Sequence, residues 1–186
     1  MSEPSYIDTL PPQRAEFDRV HGRAMSAWQH VEDGLAAIFI RVSTCTNPEV
    51  AKALFYSPRD FSEKLTMTRN AARLALDGFI LDEWTKLRTR CRKESEIRND
   101  LAHFHEIIHV AANLAGADAE GNAAMLLVPN WSDPNRQFAN RDSGGARQPL
   151  RFADIRSAIG RFHRLAADLT TFADGAIQSS SRGAES

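Results

Sequence analysis

The chain has 186 residues, of which 42% are apolar, with 23 basic and 24 acidic side chains. A chain of roughly this length makes one domain with extensions, and its apolar content excludes a disordered polypeptide, which cannot bury enough surface to offset its ordering entropy. A net charge of −1 gives no bulk attraction for polyanions, so nucleic acid would have to be caught by a local basic patch.

The first periodic segment runs from Gln13 to Ser43, with Phe17, Ala24, Trp28, Val31, Leu35, Ile38 and Val42 on one helical stripe and His21 in the remaining slot. Pro11 and Pro12 cannot continue a helix interior and mark its start. Asn47-Pro48 suits a cap followed by proline at the first helical position, and Ser57-Pro58-Arg59-Asp60 reads as a second such start. The helix it opens carries the stripe Phe61, Leu65, Thr68, Ala72 and Leu76, and Gly78 reads as its C-terminal glycine. A further stripe, Ile80, Trp84, Leu87 and Cys91, continues through Glu94 or Ser95 to Arg98 and Ala102, and this helix should end near His103 or Phe104.

Composition then changes. His105–Leu114 and Ala123–Val128 are short apolar runs that read as a β-hairpin or as Ala-rich helix, and 129–149 is an irregular loop rich in Pro, Gly and Asn. A last amphipathic helix spans Leu150–Ile177, with Phe152, Ile155, Ile159, Phe162, Ala166, Leu169 and Ala173 on one face. The expected plan is an all-α, up-and-down bundle over 13–177 with a small irregular or β insertion at 105–149. Residues 1–12 form a flexible N-terminus, and the Ser/Gly-rich tail 178–186 is expected to be disordered.

The two cysteines, Cys45 and Cys91, show no CxxC spacing and read as reduced, helix-buried thiols. No signal peptide and no apolar run of about 20 residues is visible, so a soluble, cytoplasmic protein is expected.

Arg98 is the anomaly. On a wheel of about 100° per residue it falls at the centre of the Ile80–Trp84–Leu87–Cys91 stripe, where an unpaired guanidinium would cost several kcal/mol. It therefore needs an ion-pair partner (Glu32 is a candidate), water or an interface. Asn99 lies one turn before His103, so its amide could orient that imidazole.

Ile97-Arg98-Asn99-Asp100-Leu101-Ala102-His103 resembles the R-x4-6-H signature of the HEPN superfamily, including the polar residue after the arginine. The layout is similar as well: a long first helix containing Trp28-Gln29-His30-Val31-Glu32, a middle helix starting Phe61-Ser62-Glu63-Lys64-Leu65, and the motif closing the next helix. The resemblance covers residues 15–104 and a closing helix. It implies a helical bundle that dimerises with two such motifs facing one cleft, in many members a metal-independent endoribonuclease of toxin, defence or RNA-processing type. On that pattern His103 is general acid or base, Arg98 stabilises charge on the phosphorane, and Asn99 orients His103 or the phosphate. No cofactor or metal is required. A homodimer is implied, with RNA as substrate and an antitoxin or operon partner in the toxin setting. A non-catalytic RNA-, nucleotide- or protein-binding module is the alternative.

Lys86-Leu87-Arg88-Thr89-Arg90-Cys91-Arg92-Lys93 places five basic residues directly upstream, and Arg88, Arg90, Arg92 and Lys93 could hold a phosphate backbone. An ordinary solvated face balanced by Glu94 and Glu96 would look the same.

His105-Glu106-Ile107-Ile108-His109 matches the HExxH pattern of zinc peptidases, in which two histidines one helical turn apart bind metal and the Glu activates water. It remains a remote alternative. No strand-rich segment precedes it, Ala115 stands where a third histidine would be, and Glu120 follows too closely to serve as the third ligand. If the segment is a strand, no helical zinc site forms. His21 and His163 read as packed or surface residues.

Overall fold

Pro12 opens α1 (Pro12–Val42), and its predicted stripe of Phe17, Ala24, Trp28, Val31, Leu35, Ile38 and Val42 is buried. This computed structural model describes residues 12–103, 105–109, 124–128 and 150–183, with side chains over 15–103 and 150–175. Residues 1–11, expected to be flexible, and the predicted loop 129–149 lie outside the described residues. After α1 come α2 (Pro48–Tyr56), α3 (Phe61–Ala75), α4 (Gly78–His103), β1 (His105–His109), β2 (Ala124–Val128), β3 (Leu150–Arg151) and α5 (Phe152–Gly183). The fold is mostly α and bundle-like, with a small antiparallel sheet of order β1-β2-β3 inserted before the last helix.

Local chemistry explains where the boundaries fall. Asn47 caps α2 as its sequence predicts, its side-chain oxygen accepting the backbone N–H groups of Glu49 and Val50. Ser57 behaves differently from expectation. It closes α2 instead of opening α3, because its N–H is used by the Leu54 carbonyl and its hydroxyl by that of Ala53. α3 consequently begins three residues after Pro58, with Asp60 at its cap position. Gly78 does not terminate α3, which ends at Ala75. It is the first residue of α4 and has φ of 45°, a left-handed backbone that favours glycine.

The predicted hairpin forms with shorter strands, pairing His105 with Val128 through to His109 with Ala124. Leu150 and Arg151, expected to be helical, pair instead with Leu127 and Leu126 as a third strand. The helical backbone of α5 also continues to Gly183, through most of the tail expected to be disordered.

Two compact units divide the chain. The first comprises Met1–Met25 with Arg98–Ile159, the second Ser26–Ile97 with Gly160–Ser186. In the first, Phe17 packs against Phe152, and Glu16 joins Arg19 and Arg156. The Arg19 guanidinium, followed by Arg156, holds the Glu16 carboxyl below its ordinary range.

In the second unit, Trp28 sits edge-on to Phe61 at 4.7 Å and to Phe162 at 5.2 Å. The contacts Trp28–Phe162 and Arg41–Asp174 show α1 and α5 running in the same direction here, whereas Glu94–Arg161 and Arg90–Asp168 show α4 running against α5. Gly34 permits the close α1–α5 approach: a Cβ there would lie 2.9 Å from Leu169 Cβ and 3.4 Å from the Ala166 carbonyl. Gly34→Ala should therefore destabilise, by about 1–3 kcal/mol of overpacking against a helix-propensity gain of about 1 kcal/mol. Gly22→Ala, on the same helix with open space around it, should stabilise by about 0.5–1 kcal/mol. Denaturant midpoints of opposite sign for the two variants check this reading.

The Trp28–Glu32 and Phe61–Leu65 stretches meet inside this unit. Glu32 accepts from Trp28 Nε1 at 2.9 Å and from Lys64 Nζ at 2.7 Å, with both charged side chains buried. Lys64 also lies over the rings of Phe55 and Tyr56. The Tyr56 hydroxyl donates to Asp33 at 2.8 Å. Partial burial, then the Asp33 carboxylate, push the Tyr56 phenol up from 10.0 to about 12. Because its folded value is raised, its contribution to stability is complete below pH 10.0 and is lost as pH climbs toward about 12. Tyr56→Phe should flatten that alkaline decline in stability, and tyrosinate absorbance should show one phenol titrating late.

Candidate functional site

α4 buries Trp84, Leu87, Cys91, Glu94 and Leu101, so the stripe drifts to Leu101 where Ala102 was expected, and Ala102 is exposed. Glu94 tolerates its buried slot because Arg161 Nε reaches both carboxylate oxygens, at 3.1 and 3.0 Å. Beyond it, in the first unit, Arg98 and Asn99 are half-buried and His103 is exposed on the last turn.

Glu32, the candidate partner for Arg98, has its two oxygens engaged within the second unit by Trp28 and Lys64. Arg98 Nη1 donates to Asn99 Oδ1 at 3.2 Å. Its Nε is buried and has no hydrogen-bond partner among the described residues. Among those residues the Asn99 carbonyl oxygen therefore serves the guanidinium, whereas the sequence suggested a contact with His103. The arginine fork and the amide form one hydrogen-bonded unit, with an exposed imidazole one turn further along.

The basic run divides. Arg90 is held by Asp168 at 2.7 Å, and Lys86 lies 3.9 Å from Glu83. Arg88 is half-buried, while Arg92 and Lys93 are exposed on α4. Glu94, expected to balance this run, is committed to Arg161. Near the start of α4 a cleft of about 480 Å³ is lined by Phe79, Ile80, Leu87 and Phe172, with Arg90 and Asp168 also bordering it.

The HExxH stretch forms strand β1, so the single helical turn that must separate its two histidines in a zinc peptidase is not formed. The side chains of His105, Glu106 and His109 lie outside the described ones. Among the described residues no group of three or more His, Cys, Asp or Glu is arranged to hold a metal.

Cys91 is buried in α4 as expected, and burial pushes its thiol up to about 12, which keeps it unreactive. Cys45 is not in a helix: it occupies the turn between α1 and α2, with its S–H directed at the Asn47 carbonyl. No helix among the described residues is long and apolar enough to cross a membrane.

Two features escaped the sequence reading. The Glu32–Lys64 pair left a trace in the Trp28-x3-Glu32 spacing and in a lysine beside the Phe61–Leu65 stripe. His21 gave only its place on the α1 stripe; its Nε2 lies 2.8 Å from the Leu101 carbonyl oxygen.

Comparison of the chain with protein-family models, with curated proteins and with solved structures finds no match in any of the three. Function has to be read from the chemistry of these side chains.

Proposed function

We propose that this chain is a HEPN-like, metal-independent endoribonuclease whose site is completed by a second copy, in the cytoplasm, in a toxin, defence or RNA-processing role. The observation that supports it is the Arg98–Asn99 hydrogen bond at the end of α4, with His103 exposed on the following turn. An always-charged guanidinium suits a phosphate that gains charge in the transition state, and the Nε, which has no partner among the described residues, is a donor that an anionic oxygen would satisfy. Asn99, by accepting from Nη1, fixes the plane of the fork.

The reaction is attack of an RNA 2′-hydroxyl on the adjacent phosphorus. The 2′-oxygen–phosphorus bond forms, the phosphorus–5′-oxygen bond breaks, and a cyclic phosphate remains. One imidazole removes the 2′-hydroxyl proton and a second, from the paired copy, protonates the departing 5′-oxygen; His103 of each copy fills these roles. Arg88, Arg92 and Lys93 are offered as phosphate contacts, and Arg90 would join them only by leaving Asp168. An antitoxin or operon partner fits the toxin role.

The deciding experiment is incubation of purified protein with mixed RNA in EDTA. Cleavage that persists in chelator and is lost in both Arg98→Ala and His103→Ala supports the enzyme. A folded dimer that binds RNA without cutting it shifts the reading to a non-catalytic binding module.

A further inference from the structure

His21 occupies an apolar stripe of α1 yet spends its Nε2 on a backbone carbonyl 80 positions away, that of Leu101, at 2.8 Å. A carbonyl oxygen only accepts, so Nε2 carries the proton and donates. Leu101 belongs to the last four residues of α4 (Gly78–His103), whose carbonyls have no intrahelical N–H to accept from. The negative end of the helix dipole lies there too and favours a donor. The imidazole plane is itself fixed: its ring stands 6.5 Å from that of Phe17 at an interplanar angle of 5°, and Phe17 is braced by Phe152.

The Leu101 side chain is buried, so this residue is held by packing and by the His21 bond together. Asn99 precedes it by two positions and His103 follows it by two. Helix ends fray unless their carbonyls are satisfied, and a frayed last turn would move His103 relative to Arg98 and Asn99. We propose that His21 is a positioning residue that locks the final turn of α4 and thereby sets the direction of His103 toward its substrate. This rests on the ribonuclease reading above for its catalytic consequence, though not for its structural one.

The experiment compares His21→Leu, which keeps apolar bulk and removes the donor, with His21→Gln, whose amide nitrogen reaches about as far as Nε2 and can donate. In steady-state RNA cleavage His21→Leu should lower kcat by about 10- to 100-fold with KM within about threefold, the signature of misplaced reacting groups. His21→Gln should recover kcat to within about threefold. Amide hydrogen exchange, read on the same folded proteins, should be faster in the last turn of α4 in His21→Leu and restored in His21→Gln. Unchanged exchange and unchanged kcat in His21→Leu would overturn the proposal, as would a glutamine variant as impaired as the leucine one. If the wild type cuts no RNA, the functional reading fails by itself, and the exchange contrast between the two variants still decides whether His21 locks the turn.

Discussion

Lys64→Ala is expected to destabilise the fold by about 3–5 kcal/mol, because among the described residues it leaves a buried carboxylate with an indole N–H as its one hydrogen-bond partner. A domain of this size loses roughly 2–4 °C of Tm per kcal/mol, so calorimetry should show a drop of about 6–20 °C. The penalty comes from breaking the pair, not from losing a strong attraction, and a double variant separates the two. In Glu32→Gln/Lys64→Met both charges are gone while the glutamine oxygen still accepts from Trp28 Nε1, so most of the lost stability should return. If the double variant is as unstable as Lys64→Ala alone, uncompensated charge is not the cause.

On the proposed ribonuclease reading, the largest effects on activity should come from the last two turns of α4. Loss of a positioned general acid or base costs about 10²–10⁴ in rate, which sets the expectation for His103→Ala. Arg98→Lys is the sharper test. Lysine keeps the positive charge but has neither the planar fork nor the Nη1 that donates to Asn99, so a fall of about 10²-fold or more is expected in EDTA. A lysine variant retaining near wild-type cleavage would mean that only a point charge is needed there. On the proposed ribonuclease reading, a site completed by two copies would add a concentration dependence: specific activity would fall on dilution as the copies separate, and RNA affinity would weaken with salt.

Much of this architecture was legible in the residues. The stripe of α1, the Asn47-Pro48 start and the end of α4 at His103 follow from periodicity and capping chemistry, whereas the runs that form the hairpin left strand and Ala-rich helix equally open. What was not legible came from partners distant in sequence. Ser57-Pro58 looks like a helix start until the carbonyls of Ala53 and Leu54 claim Ser57. β3 could not be told from the start of a helix because Leu150 and Arg151 acquire strand geometry only by pairing with β2. At the candidate site the Arg98-x4-His103 spacing was visible, but the Arg98–Asn99 bond and the His21–Leu101 contact depend on side-chain directions that spacing does not encode.

The buried Glu32–Lys64 pair also bears on how α3 finds its place beside α1. An apolar stripe tolerates sliding, since one aliphatic side chain substitutes for another. Displacing α3 by one turn would shift Lys64 about 5.4 Å along the axis and leave an ammonium and a carboxylate dehydrated and apart. The pair thus works as a registration pin: it adds little attraction to the correct alignment while penalising each neighbouring one, and the helices that bear Trp28 and Phe61 are left with a single seating.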